Sequence, residues 1–352
     1  MGMIATVVGA GLTGATIARL LAEKGWRVTV HEARDHVAGN AYDEQVRGSW
    51  IHRYGPHLFH TNNFEVVKFL SRFTDWVPYE HKVVAAVGQA GKDGYTTVPF
   101  PPNDATRKWL ADNGKDAIEV FYRPYTEKMW GRKLEDVAPQ ILERVPSREG
   151  GEDRYFPQHD WQMLPRLGYT AMVKRMLDHE KIDVLLKSEW KPEGRVSYTY
   201  AAASQEYVFY SGGIDRFYGT QRLAYRTIEF LTLWKKEYHF WQVMNFTDQD
   251  TPFTRVTNWS EFPNSVFPKD YVDGEAVYPY TYEIPGESKR YETDFYPVRD
   301  TDSMTLYDAL KKKAAVEYRN AHFVGRCGSY AYIDMDQAVN QAMQVVKKVP
   351  GV

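Results

Sequence analysis

The sequence predicts an α/β fold in which a parallel-sheet domain opens at the N-terminus, gives way to helices and an antiparallel sheet, and is completed near the C-terminus. Three observations predict it. A strand–helix–strand pattern fills residues 4–31. The second half of the chain carries several runs of aromatic and β-branched residues with strand character. A short strand and an amphipathic helix then close the sequence.

Ile4 to Val8 is a short apolar run ending in glycines, as a buried parallel strand does. Leu12, Ile17, Leu20 and Leu21 share one helical face up to Lys24, and Gly25 suits a helix C-terminus. Arg27 to His31 is the next strand, completing a βαβ unit. A helix is expected over Asn63 to Phe73, capped by Thr61 or Asn62. Val83–Val87 and Tyr95–Val98 read as a hairpin around Gly91 and Gly94, broken by Pro99, Pro101 and Pro102. Asp104 to Met129 reads as mostly helical, followed by an Arg-, Gly- and Asp-rich loop from Arg148 to about Asp160. Tyr207–Tyr210 is a strand leading into Gly212-Gly213. Thr227–Leu233, Phe240–Phe246, Thr254–Trp259 and Glu275–Glu283 read as antiparallel strands. Ser303–Tyr318 is an amphipathic helix, Phe323-Val324 a last strand and Asp336–Lys347 a last helix.

Composition narrows the function classes. The chain has 352 residues and a formal net charge of −2, which argues against a broad nucleic-acid-binding face. Cys327 is the sole cysteine, so no internal disulfide can form, as suits a reducing compartment. No apolar run is long enough for a membrane helix, and no secretory leader pattern opens the sequence, so a cytoplasmic protein is expected. Aromatic residues make up 15%, which fits either a β-rich core or a site for planar or sugar-like ligands.

The motif with the clearest mechanism is Gly9-Ala10-Gly11-Leu12-Thr13-Gly14, a G-x-G-x-x-G between strand and helix. Gly9 permits the tight turn, Gly11 lets the backbone approach a pyrophosphate, and Gly14 lets helix and strand pack closely. The N–H groups at the helix start then face the anion. Glu32 ends the second strand, where its carboxylate can accept hydrogen bonds from a ribose diol. The fingerprint alone does not separate FAD from NAD. Arg34 and the small-residue turn Ala38-Gly39-Asn40-Ala41 lean toward FAD, because they allow close approach to a second part of a large cofactor. So does Phe323-Val324-Gly325-Arg326 ahead of Asp334 and a helix, a distant second contact that could polarise a flavin carbonyl.

Further segments carry a narrower resemblance. His52-Arg53-Tyr54-Gly55-Pro56-His57-Leu58-Phe59-His60-Thr61-Asn62, Tyr125-Thr126-Glu127-Lys128-Met129-Trp130-Gly131, Arg144-Val145-Pro146-Ser147-Arg148 and Gly168-Tyr169-Thr170 resemble motifs of the UDP-galactopyranose mutase family. Asn245-Phe246-Thr247-Asp248, Pro252-Phe253-Thr254-Arg255, Phe295-Tyr296-Pro297-Val298 and Gly325-Arg326 through Tyr332-Ile333-Asp334-Met335 continue the set in family order, over nearly the whole chain.

The resemblance implies an FAD-binding Rossmann-like domain, discontinuous over about 1–79, 187–225 and 320–352, with an inserted helical domain over 100–150. A twisted antiparallel sheet domain would take 80–99 and 226–300. It implies reduced FAD as cofactor, its N5 attacking the anomeric carbon of a UDP-sugar and displacing the diphosphate, so that pyranose and furanose interconvert without net redox change. An external electron donor, NAD(P)H or a reductase, would supply the reduced state.

The same resemblance assigns Arg148 and Arg255 to the diphosphate, which guanidinium groups match bidentately. Tyr296 and Tyr332 would bind the phosphates through their hydroxyls, and Arg326 would lie near the flavin and the sugar. His57 and His60 would lie at the cofactor, with His60 against the flavin. An H-x-x-H metal pair is the competing reading of these two, but no Glu follows the first His and no third ligand is in view. Tyr125 would stack on the uracil and Trp130 on the sugar, unless both are helix core. Arg226 and Asn245 are further substrate candidates. Asp334 either lies at the flavin edge or caps the last helix.

Two departures bear on specificity and assembly. Trp161 stands where the family has a tyrosine framing the nucleotide pocket, in a loop one residue longer. The stretch between Phe100 and Tyr125 is shorter than in typical bacterial members, so a homodimer like theirs, a different dimer and a monomer all stay open. The competing functions are a flavin oxidase or lyase acting on a modified nucleotide, and a non-enzymatic nucleotide-binding protein.

Overall fold

A computed structural model of the chain describes residues 3–88, 95–136, 147–192, 206–220, 222–265, 271–272, 275–287 and 294–350. Its framework is a five-stranded parallel sheet in the order Ile182–Leu185, Arg27–His31, Ile4–Val8, Glu206–Tyr210, Ala321–Phe323. Strands from the start, middle and end of the chain therefore lie side by side, and the α/β fold has the discontinuous parallel domain that the sequence predicts. The edge strand Ile182–Leu185 lay outside the sequence-based expectation.

The helix Leu12–Glu23 packs on this sheet through Leu12, Ile17, Ala18 and Leu21. Gly25, at φ +91°, ends it. The Gly25 N–H donates to Ala22 O and the Trp26 N–H to Leu21 O, the paired bonds of a Schellman motif that needs a left-handed residue. Trp26 then folds back into the core at 2% exposure. The final helix, Met335–Lys347, covers the same region with Val339, Ala342 and Val346.

A seven-stranded sheet forms the second body, in the order Tyr296–Pro297, Tyr225–Lys235, Tyr278–Glu287, Arg255–Asn258, Val243–Phe246, Val83–Val87, Thr96–Phe100. The sequence predicts an antiparallel sheet. All pairs are antiparallel except Val243–Phe246 with Val83–Val87, which run parallel. A parallel pair needs a long crossover, and the intervening chain supplies one that includes the helical region. The tip of the Val83–Val87/Thr96–Phe100 hairpin, with Gly91 and Gly94, lies outside the described residues. So do Arg144 to Pro146.

Three local expectations are corrected. The helix expected over 63–73 is Phe64–Leu70, and its cap is Asn63, whose Oδ1 accepts the Glu65 and Val66 N–H groups. The Thr61 hydroxyl instead accepts the Asn63 N–H. The helix expected over 104–129 is divided into Asp104–Asp112, a π-helical turn Ile118–Tyr122, and Arg123–Trp130. Asn113 and Gly114, at φ +57°, end the first piece. A three-stranded sheet of Phe59–Thr61, Trp161–Pro165 and Trp76–Pro78 stands between the two bodies in sequence and contact. Among the described residues, no helix is long and apolar enough to cross a membrane.

Candidate active site

The glycine fingerprint forms a cradle whose geometry excludes side chains. Gly9 has φ +100°, its N–H donates to His31 O, and a Cβ there would lie 2.0 Å from Ser211 Oγ. A Cβ on Gly14 would lie 1.9 Å from the Gly9 carbonyl oxygen. Gly11 starts the helix in an extended conformation with no side-chain cap, which leaves the first helical N–H groups open to an anion. The second small-residue turn meets the first: Ala38 N donates to Ala10 O at 2.9 Å, and a Cβ on Gly39 would come 3.0 Å from Gly11 Cα.

Glu32, at 7% exposure, accepts the Ala10 N–H at 2.8 Å and the Arg34 N–H at 2.9 Å. Its carboxylate therefore fixes the glycine turn. Arg34 lies over the Tyr54 ring at 4.5 Å and donates to Asn40 Oδ1 at 3.0 Å. At the far end of the chain, Gly325 has φ +73° and packs on the helix start, where a Cβ would meet Thr13 Oγ1 at 3.1 Å. Asp334 is the N-cap of Met335–Lys347, in a reciprocal capping box with Gln337.

Beside this cradle the sheet presents a polar row. Ala85, Asn245, Arg255, Glu283 and Phe230 oppose one another in turn across five strands, so their side chains share a face. Arg255 Nε donates to Glu283 Oε1 and Nη2 to Oε2, both at 2.8 Å. This side-on pair leaves Nη1 and one Nη2 hydrogen for another acceptor. Glu283 is 1% exposed, so the pair is buried on its carboxylate side. Glu283 is a site residue that the sequence reading missed.

Tyr125, Tyr296, Tyr332 and Arg326 complete the group. The Tyr296 and Tyr332 rings stack 5.3 Å apart, and the Arg326 guanidinium lies 5.3 and 5.2 Å from their centres. Arg326 is held by the Ile333 carbonyl, which accepts from Nη2 at 2.8 Å. Trp130 meets Tyr296 edge-on at 6.4 Å. Burial pushes the Tyr296 phenol up to about 12, against the opposing pull of Arg326 and Arg255. Burial raises Tyr125 as well, and Arg255 and Glu283 both act on it. The hydroxyls therefore stay protonated and able to donate.

His57 faces the same charges. Burial lowers it to about 4, with Arg326 and Arg255 adding to the effect and a bond to the Gly55 carbonyl opposing it. Neutral His57 places its Nδ1 2.8 Å from Gly55 O, so Nδ1 carries the proton and Nε2 the lone pair.

Other expected site residues sit at or beyond the margin. Arg226 Nε donates to Met129 O at 2.9 Å, bracing the end of the helix that carries Trp130. Arg148 Nη2 donates to Tyr155 O at 2.7 Å. Its Nε is buried with no hydrogen-bond partner among the described residues. Arg148 connects to the cleft through Tyr155, whose ring meets His81 at 5.6 Å and which acts on Tyr125. His60 Nδ1 lies 2.7 Å from His159 Nδ1, and its ring stacks on Phe156 at 3.6 Å. Trp161 packs with Phe64, at 6.0 Å, against the core of the parallel-sheet body.

Lys128, in the Tyr125–Gly131 motif, braces the approach to Arg255. Its ammonium donates to the carbonyls of Asp248, Thr251 and Phe253 at 2.6, 3.1 and 3.0 Å. Burial lowers it to about 8, partly offset by Asp248. Lys128, His81 and Tyr155 had no distinguishing signal in composition or periodicity.

Cradle and cleft together define a Rossmann-type protein with an arginine- and tyrosine-lined cleft. Comparison with known proteins narrows this. The UDP-galactopyranose mutase family model matches residues 120–332, and an NAD(P)-binding Rossmann-like domain model matches residues 7–73. The chain is 33% identical to a probable UDP-galactopyranose mutase of Klebsiella pneumoniae, over 96% of this chain and 92% of that one. It is 32% identical to a dTDP-fucopyranose mutase of Escherichia coli, over 96% of each. Its fold matches a crystal structure of reduced UDP-galactopyranose mutase with a TM-score of 0.71 at 14% identity, over 100% of this chain and 94% of that one. The chain belongs to the UDP-galactopyranose mutase family and is an isomerase of nucleotide sugars.

Proposed function

We propose that the chain binds FAD and, with the flavin reduced, interconverts the pyranose and furanose forms of UDP-galactose. The observation that carries this reading is the Arg255–Glu283 pair facing Tyr125, Tyr296 and Arg326. It is a preformed site for a diphosphate, set beside the dinucleotide cradle. The cradle fits FAD because its glycines exclude side chains where a pyrophosphate would pass, and because Gly325 brings a distant second contact to the same helix start.

When bound, reduced flavin supplies the nucleophile for the anomeric carbon. The protein's part is charge placement. The free N–H groups of Arg255 take up the charge of a departing diphosphate, while Glu283 fixes their direction. Tyr296 and Tyr332 offer their hydroxyls as donors to the same oxygens, and burial keeps the Tyr296 proton in place. Arg326, tied to Ile333 O, places positive charge over the Tyr296 and Tyr332 rings. His57 offers a neutral lone pair at Nε2. Trp130 and Tyr125 cover the sugar and base and exclude water. An external two-electron donor, NAD(P)H or a reductase, reduces the flavin.

A second reading changes the nucleotide and sugar, not the chemistry. The similarity to a dTDP-fucopyranose mutase favours it as a substrate alternative. The test is to identify the cofactor released by acid, then incubate dithionite-reduced protein with UDP-galactofuranose and with dTDP-fucofuranose. Conversion of the UDP-sugar supports the first reading, and conversion of the dTDP-sugar alone supports the second. Protein that stays colourless after FAD reconstitution, or normal flavin reduction with neither sugar converted, overturns both.

A further inference from the structure

The segment 147–160 carries Arg148 at one end and is fastened to the body by amide bonds, by ion pairs and by a histidine–histidine contact. Most are amide bonds that do not titrate. Arg148 N donates to Pro102 O and Tyr155 N to His81 O, both at 2.7 Å. Gln162 Nε2 donates to Phe156 O at 2.9 Å. Asn62 Nδ2 donates to Gln158 O at 2.8 Å, while Asn62 Oδ1 accepts the Asp160 N–H at 2.7 Å. Ion pairs join Lys82 to Asp153 and Glu80 to Arg154, and Arg107 donates to the Ser147 hydroxyl. Toward the far end of the segment, the fastening is the 2.7 Å contact between His60 Nδ1 and His159 Nδ1.

That contact has a strict proton requirement. One Nδ1 must donate and the other must accept. With both rings neutral, or with one imidazolium and one imidazole, a proton lies between the two nitrogens. With both rings protonated, two N–H groups face each other and the contact becomes repulsive. Phe156 lies in the same stack, 3.6 Å from His60 at 18° and 6.0 Å from His159 at 11°. Its neighbour Tyr155 supplies the carbonyl that holds Arg148 Nη2. The pair therefore connects to the arginine through the Phe156 ring and the carbonyl of the adjoining Tyr155.

His81, stacked on the other side of Phe156 at 6.1 Å, is itself held neutral by burial, with Arg255 and His60 both acting on it. The acidic residues next to the pair are Asp336 and Asp160. Asp336 accepts from the hydroxyl of Thr61, next to His60, and Asp160 follows His159 in the loop.

We propose that His159 is a positioning residue. Through a one-proton bond to His60 it fastens the segment that presents Arg148, and double protonation of the pair at acid pH releases that segment. The consequence for turnover rests on the diphosphate role proposed for Arg148, but the fastening itself does not. His159→Asn keeps a hydrogen-bonding atom near the Nδ1 position and cannot become charged, so His60 can bond to it in either protonation state. His159→Phe keeps a ring and loses the bond.

The experiment is hydrogen–deuterium exchange of peptides spanning 151–160, corrected for intrinsic rates, at pH 7.5 and 5, on the full chain with its bound cofactor. The same samples are assayed for the KM of UDP-galactofuranose. In the unaltered protein, exchange should rise about tenfold at the lower pH, the scale of losing one hydrogen bond. His159→Asn should stay protected at both values, and His159→Phe should exchange fast at both. A KM that rises with the exchange supports the Arg148 assignment. An exchange step without a KM change supports the fastening and removes Arg148 from substrate holding. Flat exchange in the unaltered protein, or an undiminished step in His159→Asn, overturns the proposal.

Discussion

Glu283→Gln tests the centre of the site. The carboxylate is 1% exposed and receives two N–H bonds from Arg255 at 2.8 Å. Gln keeps one acceptor oxygen and turns an NH2 toward the other guanidinium hydrogen, so one bond is lost and the buried charge is uncompensated. Breaking a buried pair in this way costs about 3–5 kcal/mol, and a unit pair about 4 Å apart at an effective dielectric of 20 gives about 4 kcal/mol. A nucleoside diphosphate bound at the free face of Arg255 would supply much of the missing negative charge. The complex should therefore lose less stability than the free protein, and by linkage UDP should stabilise Glu283→Gln more than it stabilises the unaltered chain. Thermal unfolding with and without saturating UDP measures this directly. The double variant Arg255→Met/Glu283→Gln serves as control. It should be more stable than Glu283→Gln alone and insensitive to this extra UDP effect. A UDP-induced shift in Glu283→Gln no larger than in the unaltered chain would refute the placement of Arg255 against the diphosphate.

Three further outcomes follow from the geometry. Gly14→Ala should abolish flavin retention, because its Cβ would sit 1.9 Å from the Gly9 carbonyl oxygen; flavin absorbance per protein after desalting measures it. His57, held at about 4 when folded, stays neutral while an unfolded chain takes up a proton below about 6.5. Its contribution to stability is thus full above that value and lost as pH falls toward 4, up to about 3 kcal/mol. Urea unfolding at pH 7 and 4.5 should show a steeper loss in the unaltered protein than in His57→Asn. Lys128→Met should strand three carbonyl acceptors in the segment before Arg255, costing about 2–3 kcal/mol of stability and raising the KM for nucleotide sugar; unchanged values of both would remove Lys128 as a brace.

The parts of the fold that are legible in the sequence are those decided locally. Gly9, Gly11 and Gly14 announce a turn that no side chain can enter, and the helical face of Leu12, Ile17 and Leu21 points to the sheet it covers. The edge strand Ile182–Leu185 was hidden because Asp183 and Leu185 face outward, so neither alternation nor a continuous apolar run marks it. The strand Tyr278–Glu287 misleads in a different way. Its tyrosines alternate with Pro, Thr and Glu, which reads as an aromatic buried face and a polar solvent face. In the fold both faces are covered, and Thr281 and Glu283 are each 1% exposed. A buried carboxylate is tolerable only with its partner, and Arg255 lies on another strand.

The family motifs identify which segments meet, but not which of their side chains face the cleft. In the Tyr125–Gly131 motif, Tyr125 and Trp130 face the cleft, whereas Lys128 ties down the chain ahead of Arg255. The Gly168-Tyr169-Thr170 motif is packed against Asp43 and the core. Gly168, at φ +77°, leaves room for Asp43, whose carboxylate accepts the Tyr169 and Thr170 N–H groups. The His60–Asn63 run is a junction: His60 meets His159, Thr61 bonds Asp336, Asn62 pins the 158–160 turn, and Asn63 caps a helix. An arrangement that holds a diphosphate in place needs its donors fixed from behind, so a motif constrains the bracing residues as tightly as those that touch substrate. Glu283 shows the converse. It directs Arg255, the arginine proposed to hold the diphosphate, yet it lies outside the motif segments that carry the resemblance, and only the paired geometry of two strands reveals it.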